Sequence, residues 1–334
     1  MTSSNSFSPC YAPRLIMRIY LTVILALEIV IGWSPVLDYR VRSFLAVCTL
    51  GSYTRAAAEL HITQPAITQH IRALEAHYGC ALFERSGRAM RLTPAGELAQ
   101  RRLTVAANDE GRLRRELAAL ADKGERRTLR LGCTRTIADY LAPCLLAYMT
   151  RTGGQGSVAM RVGNTAELTA ALDAGALDLA LVEGSFDRSR FDAEVLSRES
   201  YIAVARAGVR PAALEELLDR ELVVREEGSG TREILERLLG AHDISLGDFA
   251  GLIELGSIPV IKAVVEEGDA VTFIYRIAVE DELASGALVD VAPPDLALEH
   301  DFTGIWERGS IYGDELRALV VQWREHLCPH GAIG

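Results

Sequence analysis

Ile67, Ile71, Leu74 and Tyr78 fall at i, i+4, i+7 and i+11, one apolar stripe with the spacing of a helix that lays one face on a core. The opposite face carries Gln64, Pro65, Thr68, Gln69 and Arg72 and no carboxylate. These groups can bond base edges or phosphate oxygens. Thr63 stands where an N-cap belongs, and Pro65 falls inside the first turn. A shorter helix over Thr54–Leu60 precedes it, with Thr54 and Arg55 at its start and Ala56, Ala57 and Ala58 small enough for a close crossing. His61-Ile62-Thr63 then makes the sharp corner of a helix-turn-helix. Leu37, Val41, Phe44 and Cys48 place an earlier helix on the same core. After Gly79, the stretch Ala81–Leu92 reads as a wing that sets Arg85, Arg88 and Arg91 beside a DNA backbone. A helical hairpin with solvated arginines explains any one of these elements; the ordered set points to a major groove.

Beyond the wing, Thr93 caps and Pro94 opens a long helix. Leu103, Ala106, Leu113, Leu117 and Leu120 recur on three- and four-residue steps, interrupted by Glu110, which is the pattern of a coiled-coil seam. Pairing with a second copy buries that seam; packing on the chain's own body is the alternative. Gly124–Arg127 reads as a hinge. Strands are then expected at Thr128–Cys133, Ser157–Val162, Leu177–Val182, Glu221–Arg225, Leu252–Leu255 and Ala270–Tyr275. Helices are expected at Ile137–Arg151, Thr165–Ala174, Thr231–Ala241 and Ile258–Glu267. This alternation predicts parallel sheets covered by helices. Ligands of such sheets sit beyond the strands' carboxyl ends, where helix N-termini attract anions. Three corners there are polar: Thr134-Arg135-Thr136, Asn164-Thr165 after Gly163, and Ser229-Gly230-Thr231 within Glu227–Arg232. They are the candidate residues for a small anion, although hydroxyls at helix starts also serve as ordinary caps.

Charge sharpens this division. The chain's net charge is −10, yet residues 36–127 hold 15 Lys and Arg against 10 Asp and Glu, so the excess of acid lies in the body. A mildly basic head on an acidic body suits an asymmetric DNA binder. The six cysteines show no CxxC pair and no metal-ligand spacing, so neither cofactor nor metal is expected and the thiols read as reduced packing residues of a cytoplasmic protein. No nucleophile elbow or Walker loop is present and the seven histidines are scattered, which argues against an enzyme. A solute-binding or enzymatic α/β protein with an incidental helical N-terminus remains the alternative.

The run Phe44-Leu45-Ala46-Val47, Gly51-Ser52-Tyr53-Thr54-Arg55-Ala56-Ala57, Gln64-Pro65-Ala66, Ile71-Arg72-Ala73-Leu74-Glu75, Leu82-Phe83-Glu84-Arg85 and Leu92-Thr93-Pro94-Ala95-Gly96 resembles the LysR-type transcriptional regulators. Thr68 and Gln69 depart from the serine and arginine common there. The resemblance implies an all-α winged helix-turn-helix at 36–94, a linker helix and hinge at 94–127, and an α/β effector domain at 128–330. That domain would consist of two subdomains like periplasmic binding proteins, 128–204 with 305–330 and 205–304. It further implies promoter DNA as partner, a homodimer or homotetramer, an effector in the inter-subdomain cleft and RNA polymerase as a further contact. Gly228-Ser229-Gly230-Thr231-Arg232 and Leu255-Gly256-Ser257 look similar to regulators of carbon fixation and sulfur assimilation, with Arg135 a departure. Residues 1–35 lie outside the resemblance. Their apolar run Leu15–Trp33 contains Arg18 and Glu28, each costing roughly 2.5–3.5 kcal/mol near a bilayer centre, so a membrane anchor is disfavoured. Because Val36-Leu37-Asp38-Tyr39 matches the family's usual opening, the extension is expected to be a mis-assigned start or disordered.

Overall fold

The computed structural model describes residues 37–86, 89–121, 127–152, 156–210, 213–293 and 298–327. The N-terminal extension, Arg88 and the hinge residues 122–126 therefore lie outside the described residues. The chain divides into two compact units, one ending at Leu103 and one beginning at Thr104.

In the first unit α1 (Tyr39–Leu50), α2 (Tyr53–Glu59) and α3 (Gln64–Tyr78) precede a hairpin of β1 (Phe83–Ser86) and β2 (Ala89–Leu92). Each helix start has a side-chain cap: Asp38 accepts from Arg40 N at 2.9 Å, Ser52 from Arg55 N at 3.3 Å and Thr63 from Ala66 N at 3.3 Å. Gly51 and Gly79, both left-handed, stop α1 and α3. Val41, Phe44, Val47, Ala56, Ala57, Ile67, Ile71, Leu74 and Leu82 form the core. Two expectations need correction. Tyr78 is 46% exposed, because the stripe leaves the core in the last turn of α3, where Tyr78 packs edge-on against His77. Ala58 is exposed, so only Ala56 and Ala57 serve the crossing.

A 28-residue helix, α4 (Pro94–Ala121), enters the second unit. There follow β3 (Arg127–Cys133), α5 (Arg135–Tyr140), α6 (Ala142–Arg151), β4 (Gly156–Val162), α7 (Thr165–Asp173), β5 (Leu179–Val182) and β6 (Phe191–Arg206). Next come α8 (Leu214–Leu217), β7 (Glu221–Arg225), α9 (Gly230–Gly240), β8 (Gly251–Leu255), α10 (Ile258–Glu267) and β9 (Ala270–Tyr275). The last elements are α11 (Glu280–Ser285), β10 (Leu288–Asp290), β11 (Leu298–Glu307) and α12 (Gly313–Glu325). The strands join in the order β4-β3-β5-β11-β6-β9-β7-β8, with β10 on β6. β3 runs parallel to β4 and β5, and β7 parallel to β8 and β9, giving two α/β halves. The sheet is nevertheless mixed: β6 and β11 are antiparallel to each other and to their neighbours, and they cross between the halves. The expected helix Ile137–Arg151 is two helices, broken at Leu141, with Pro143 in the first turn of α6.

Within the second unit α4 docks through polar groups. Asn108 Nδ2 donates to Asp173 O at 3.1 Å and to Glu307 Oε1 at 2.9 Å; Asp109 accepts from Ser310 Oγ at 2.6 Å and Ile311 N at 2.9 Å. Arg112 lies 3.9 Å over the Tyr312 ring. Burial pushes the Glu307 carboxyl up to about 7, with Asn108 opposing and Asp173 and Asp109 adding to the rise. The body thus takes the polar side of α4 and leaves Leu117 and Leu120 of the seam 55% and 80% exposed.

Burial holds the Cys133 and Cys48 thiols up at about 12, as packing residues. Cys144 departs from the expected reduced state in being disulfide-bonded. Among the described residues no helix is long and apolar enough to cross a membrane, and no metal-binding cluster occurs.

Candidate functional site

The first candidate surface is the outer face of α3. Ile67, Ile71 and Leu74 fix that helix against α1 and α2, which leaves Gln64, Pro65, Gln69 and Arg72 exposed on its outer side and Thr68 half-exposed. Gln64 Nε2 donates to Thr68 Oγ1 at 3.0 Å, and that hydroxyl donates to Gln64 O at 3.1 Å, so the two polar heads stand side by side. Thr54 and Arg55 are exposed at the start of α2, where the Arg55 guanidinium bonds Leu50 O. In the wing, Arg91 lies opposite Glu84 and Arg85 opposite Met90; both arginines are exposed. Among the described residues Arg55, Arg72, Arg85 and Arg91 enter no ion pair, so their charge is available to phosphate. Sequence reasoning missed Glu75, whose Oε1 accepts from Leu82 N at 2.8 Å and Phe83 N at 3.3 Å and so fixes the wing to α3. A lone carboxylate on the inner flank of an otherwise acid-free helix was its signal.

The second surface lies where the carboxyl ends of β3, β4, β5 and β7 meet the following helices. Thr134, Thr136, Thr165, Ser229 and Thr231 are all buried there. Ordinary capping does not employ them: Thr134 and Ser229 make no side-chain cap bond. The hydroxyls of Thr134, Thr136, Thr165 and Ser229 have no hydrogen-bond partner among the described residues. Buried polar atoms are almost always paired, so these four hydroxyls make the corner a candidate site. Asn164 differs, forming a capping box with Glu167 at 2.8 and 3.1 Å. Arg135 is exposed at the start of α5.

Three residues unforeseen in the sequence organise this corner. Glu183, directly after β5, accepts from Thr231 Oγ1 at 3.0 Å and is buried. Arg225 at the end of β7 is buried and forked onto Glu226, Nε and Nη2 each at 2.8 Å, which leaves Nη1 without a partner among the described residues. The third, Tyr201 of β6, donates to Thr231 O at 3.0 Å or Phe273 O at 3.1 Å. A glutamate ending the apolar run Leu179–Val182 at a strand's carboxyl end was the available clue. The two halves meet at Gly184 and Gly230, so closely that a Cβ on Gly230 would lie 2.7 Å from Gly184 N. Beside this contact is a cavity of about 450 Å³, lined by Thr165, Ser229, Glu227, Asp187, Arg190 and Arg232. Arg232 is already paired, with Glu236 at 2.8 Å and with Glu254.

Residues 39–97 match the profile of the bacterial regulatory helix-turn-helix protein, lysR family, and residues 122–328 match the LysR substrate binding domain. An uncharacterized HTH-type transcriptional regulator of Mycobacterium tuberculosis is 32% identical over 283 residues, 80% of this chain and 89% of its own length. The RuBisCO operon transcriptional regulator of Allochromatium vinosum is 32% identical over 259 residues, 75% of this chain and 83% of that protein. Among solved structures, full-length LysG of Corynebacterium glutamicum with bound effector arginine aligns with a TM-score of 0.60 at 18% identity, covering 87% of this chain and 99% of that one, a likeness of fold. The families matched comprise transcriptional regulators rather than enzymes. With its head and its α/β body each matched in the order in which they occur, the chain belongs to the LysR family of bacterial DNA-binding transcriptional regulators.

Proposed function

We propose that this regulator works in the cytoplasm, grips promoter DNA with α3 and the wing arginines, and changes that grip when a small anion enters the cleft between its α/β halves. Residues 36–94 act as the DNA head, 94–127 as linker and hinge, and 128–330 as the effector domain. RNA polymerase is the party whose access to the promoter changes. The observation that carries the anion reading is the set of orphaned hydroxyls of Thr134, Thr136, Thr165 and Ser229, reinforced by the spare Arg225 Nη1. The N-termini of α7 and α9 open on the same corner and favour negative charge. Hydrogen bonds to a charged group are worth about 1.5–3 kcal/mol each. Thr134→Ala or Ser229→Ala is therefore expected to weaken sulfate's thermal stabilisation of the full chain, with affinity falling on the order of tenfold or more. Undiminished stabilisation in both variants removes these residues from the site.

The oligomer follows from α4. Its polar side is satisfied by the body, while Leu98, Leu117 and Leu120 remain 52%, 55% and 80% exposed. A second copy of the same helix covers them, and twofold pairing sets two heads on a twofold operator. The resulting assembly is a dimer, or a tetramer if dimers pair again. Burying a leucine is worth about 1.5–3 kcal/mol, so Leu117→Glu with Leu120→Glu should raise the dimer dissociation constant on the order of a hundredfold or more in sedimentation equilibrium. An unaltered dimer places the interface elsewhere.

A further inference from the structure

Glu183 is buried but only half served. Thr231 Oγ1 donates to Oε1, and Oε2 has no partner among the described residues. Thr134 and Thr136 stand near enough to act on the carboxyl, although neither completes a hydrogen bond. The charged or titratable groups facing it are Arg225 of β7 and the phenols of Tyr201 on β6 and Tyr275 on β9. Arg225 is already forked onto Glu226, so two carboxylates share one guanidinium if Glu183 is ionised. Burial raises the Glu183 pKa above the usual glutamate range, with Thr231, Arg225, Thr136 and Thr134 opposing. An ionised Glu183 would repel an incoming anion; a protonated one offers it a donor beside the Thr134 and Thr136 hydroxyls.

We propose, resting on the anion reading of the cleft given above, that Glu183 is protonated when the cleft is occupied and donates its O–H to an oxyanion that keeps its charge at neutral pH, so that the regulator reads anion and proton together. The anion enters from the cavity lined by Thr165 and Ser229 as Gly184 and Gly230 part. Above the Glu183 pKa the proton comes from solvent, one taken up for each anion bound.

Sulfate is the probe, because it keeps its charge across the range in which a glutamate carboxyl raised by burial titrates. Calorimetry on the full chain in buffers of different ionisation heat gives affinity and proton uptake together. The wild type should lose about tenfold in sulfate affinity per pH unit above the Glu183 pKa, with uptake approaching one proton per site. Glu183→Gln, whose amide donates without titrating, should bind sulfate with an affinity independent of pH and no such uptake. The wild-type measurement stands alone should that variant fail to fold. Wild-type binding that is flat with pH and takes up no proton, or a Glu183→Gln chain that keeps the pH dependence, overturns the role of Glu183 and leaves the cleft reading intact. Sulfate binding to neither chain at any pH overturns the anion reading, and this inference with it.

Discussion

Replacing Gln64, Thr68 and Arg72 together with alanine is expected to reduce specific operator affinity on the order of a thousandfold. The fold should be unaffected, because all three lie on the side of α3 away from Ile67, Ile71 and Leu74. A well-placed contact to a base edge is worth about 1–3 kcal/mol of discrimination, and three such losses on one helix accumulate. Arg72→Ala alone separates two roles. If Arg72 reads a base, the single variant relaxes sequence preference at one operator position; if it holds phosphate, binding weakens uniformly and the salt slope drops by about one. Gel retardation and footprinting of the triple variant on DNA enriched from random sequence by the wild type would check this. Intact footprints would show that α3 does not face the groove.

Gly230→Ala carries the second large effect. Its added methyl would lie 2.7 Å from Gly184 N and 2.8 Å from Gly184 Cα, against backbone that cannot rotate away. Overpacking of this kind costs about 1–3 kcal/mol, which lowers the melting temperature of a body this size by roughly 2–12 °C. The same methyl would lie 2.9 Å from Glu183 Cγ, so it also displaces that side chain, and stabilisation by sulfate should be weakened. Gly240→Ala, at the other end of α9, is the control: a Cβ there meets nothing within 4 Å and should be neutral or mildly stabilising. Equal behaviour of the two variants in thermal unfolding would mean that the two halves do not rely on the Gly184–Gly230 contact.

The head was legible because its constraints are local. A 3.6-residue stripe, a cap at Thr63 and a proline in the first turn all act within a few residues, and they agree with one another. The stripe misled only at Tyr78, where the core ends before the helix does. In the body, apolar strands such as Leu179–Val182 and Ala270–Tyr275 declared themselves, being buried throughout. β6 and β11 did not. Their less buried stretches carry Glu194, Arg198, Glu299 and Asp301, a mixture that reads as loop until the partner strand is known. Arg198 then stands opposite Asp301, at 2.8 Å, a pairing across 103 residues that no local pattern announces. For the same reason the threonines and Ser229 could be nominated from strand ends, whereas Glu183, hinted at only by its place after an apolar run, gained a role once its bond to Thr231, 48 residues away, was known. Asn164, nominated with them, has its side-chain oxygen committed to a capping box.

The most direct test is the affinity of the full chain, as a function of salt, for the DNA it selects from random sequence. A paired reading head predicts an enriched, twofold-symmetric motif with half-sites spaced by about one helical turn or a multiple of it. Its affinity should fall by on the order of a thousandfold or more between about 50 mM and about 200 mM salt as phosphate contacts are screened. No enriched sequence, or an affinity indifferent to salt, would contradict it.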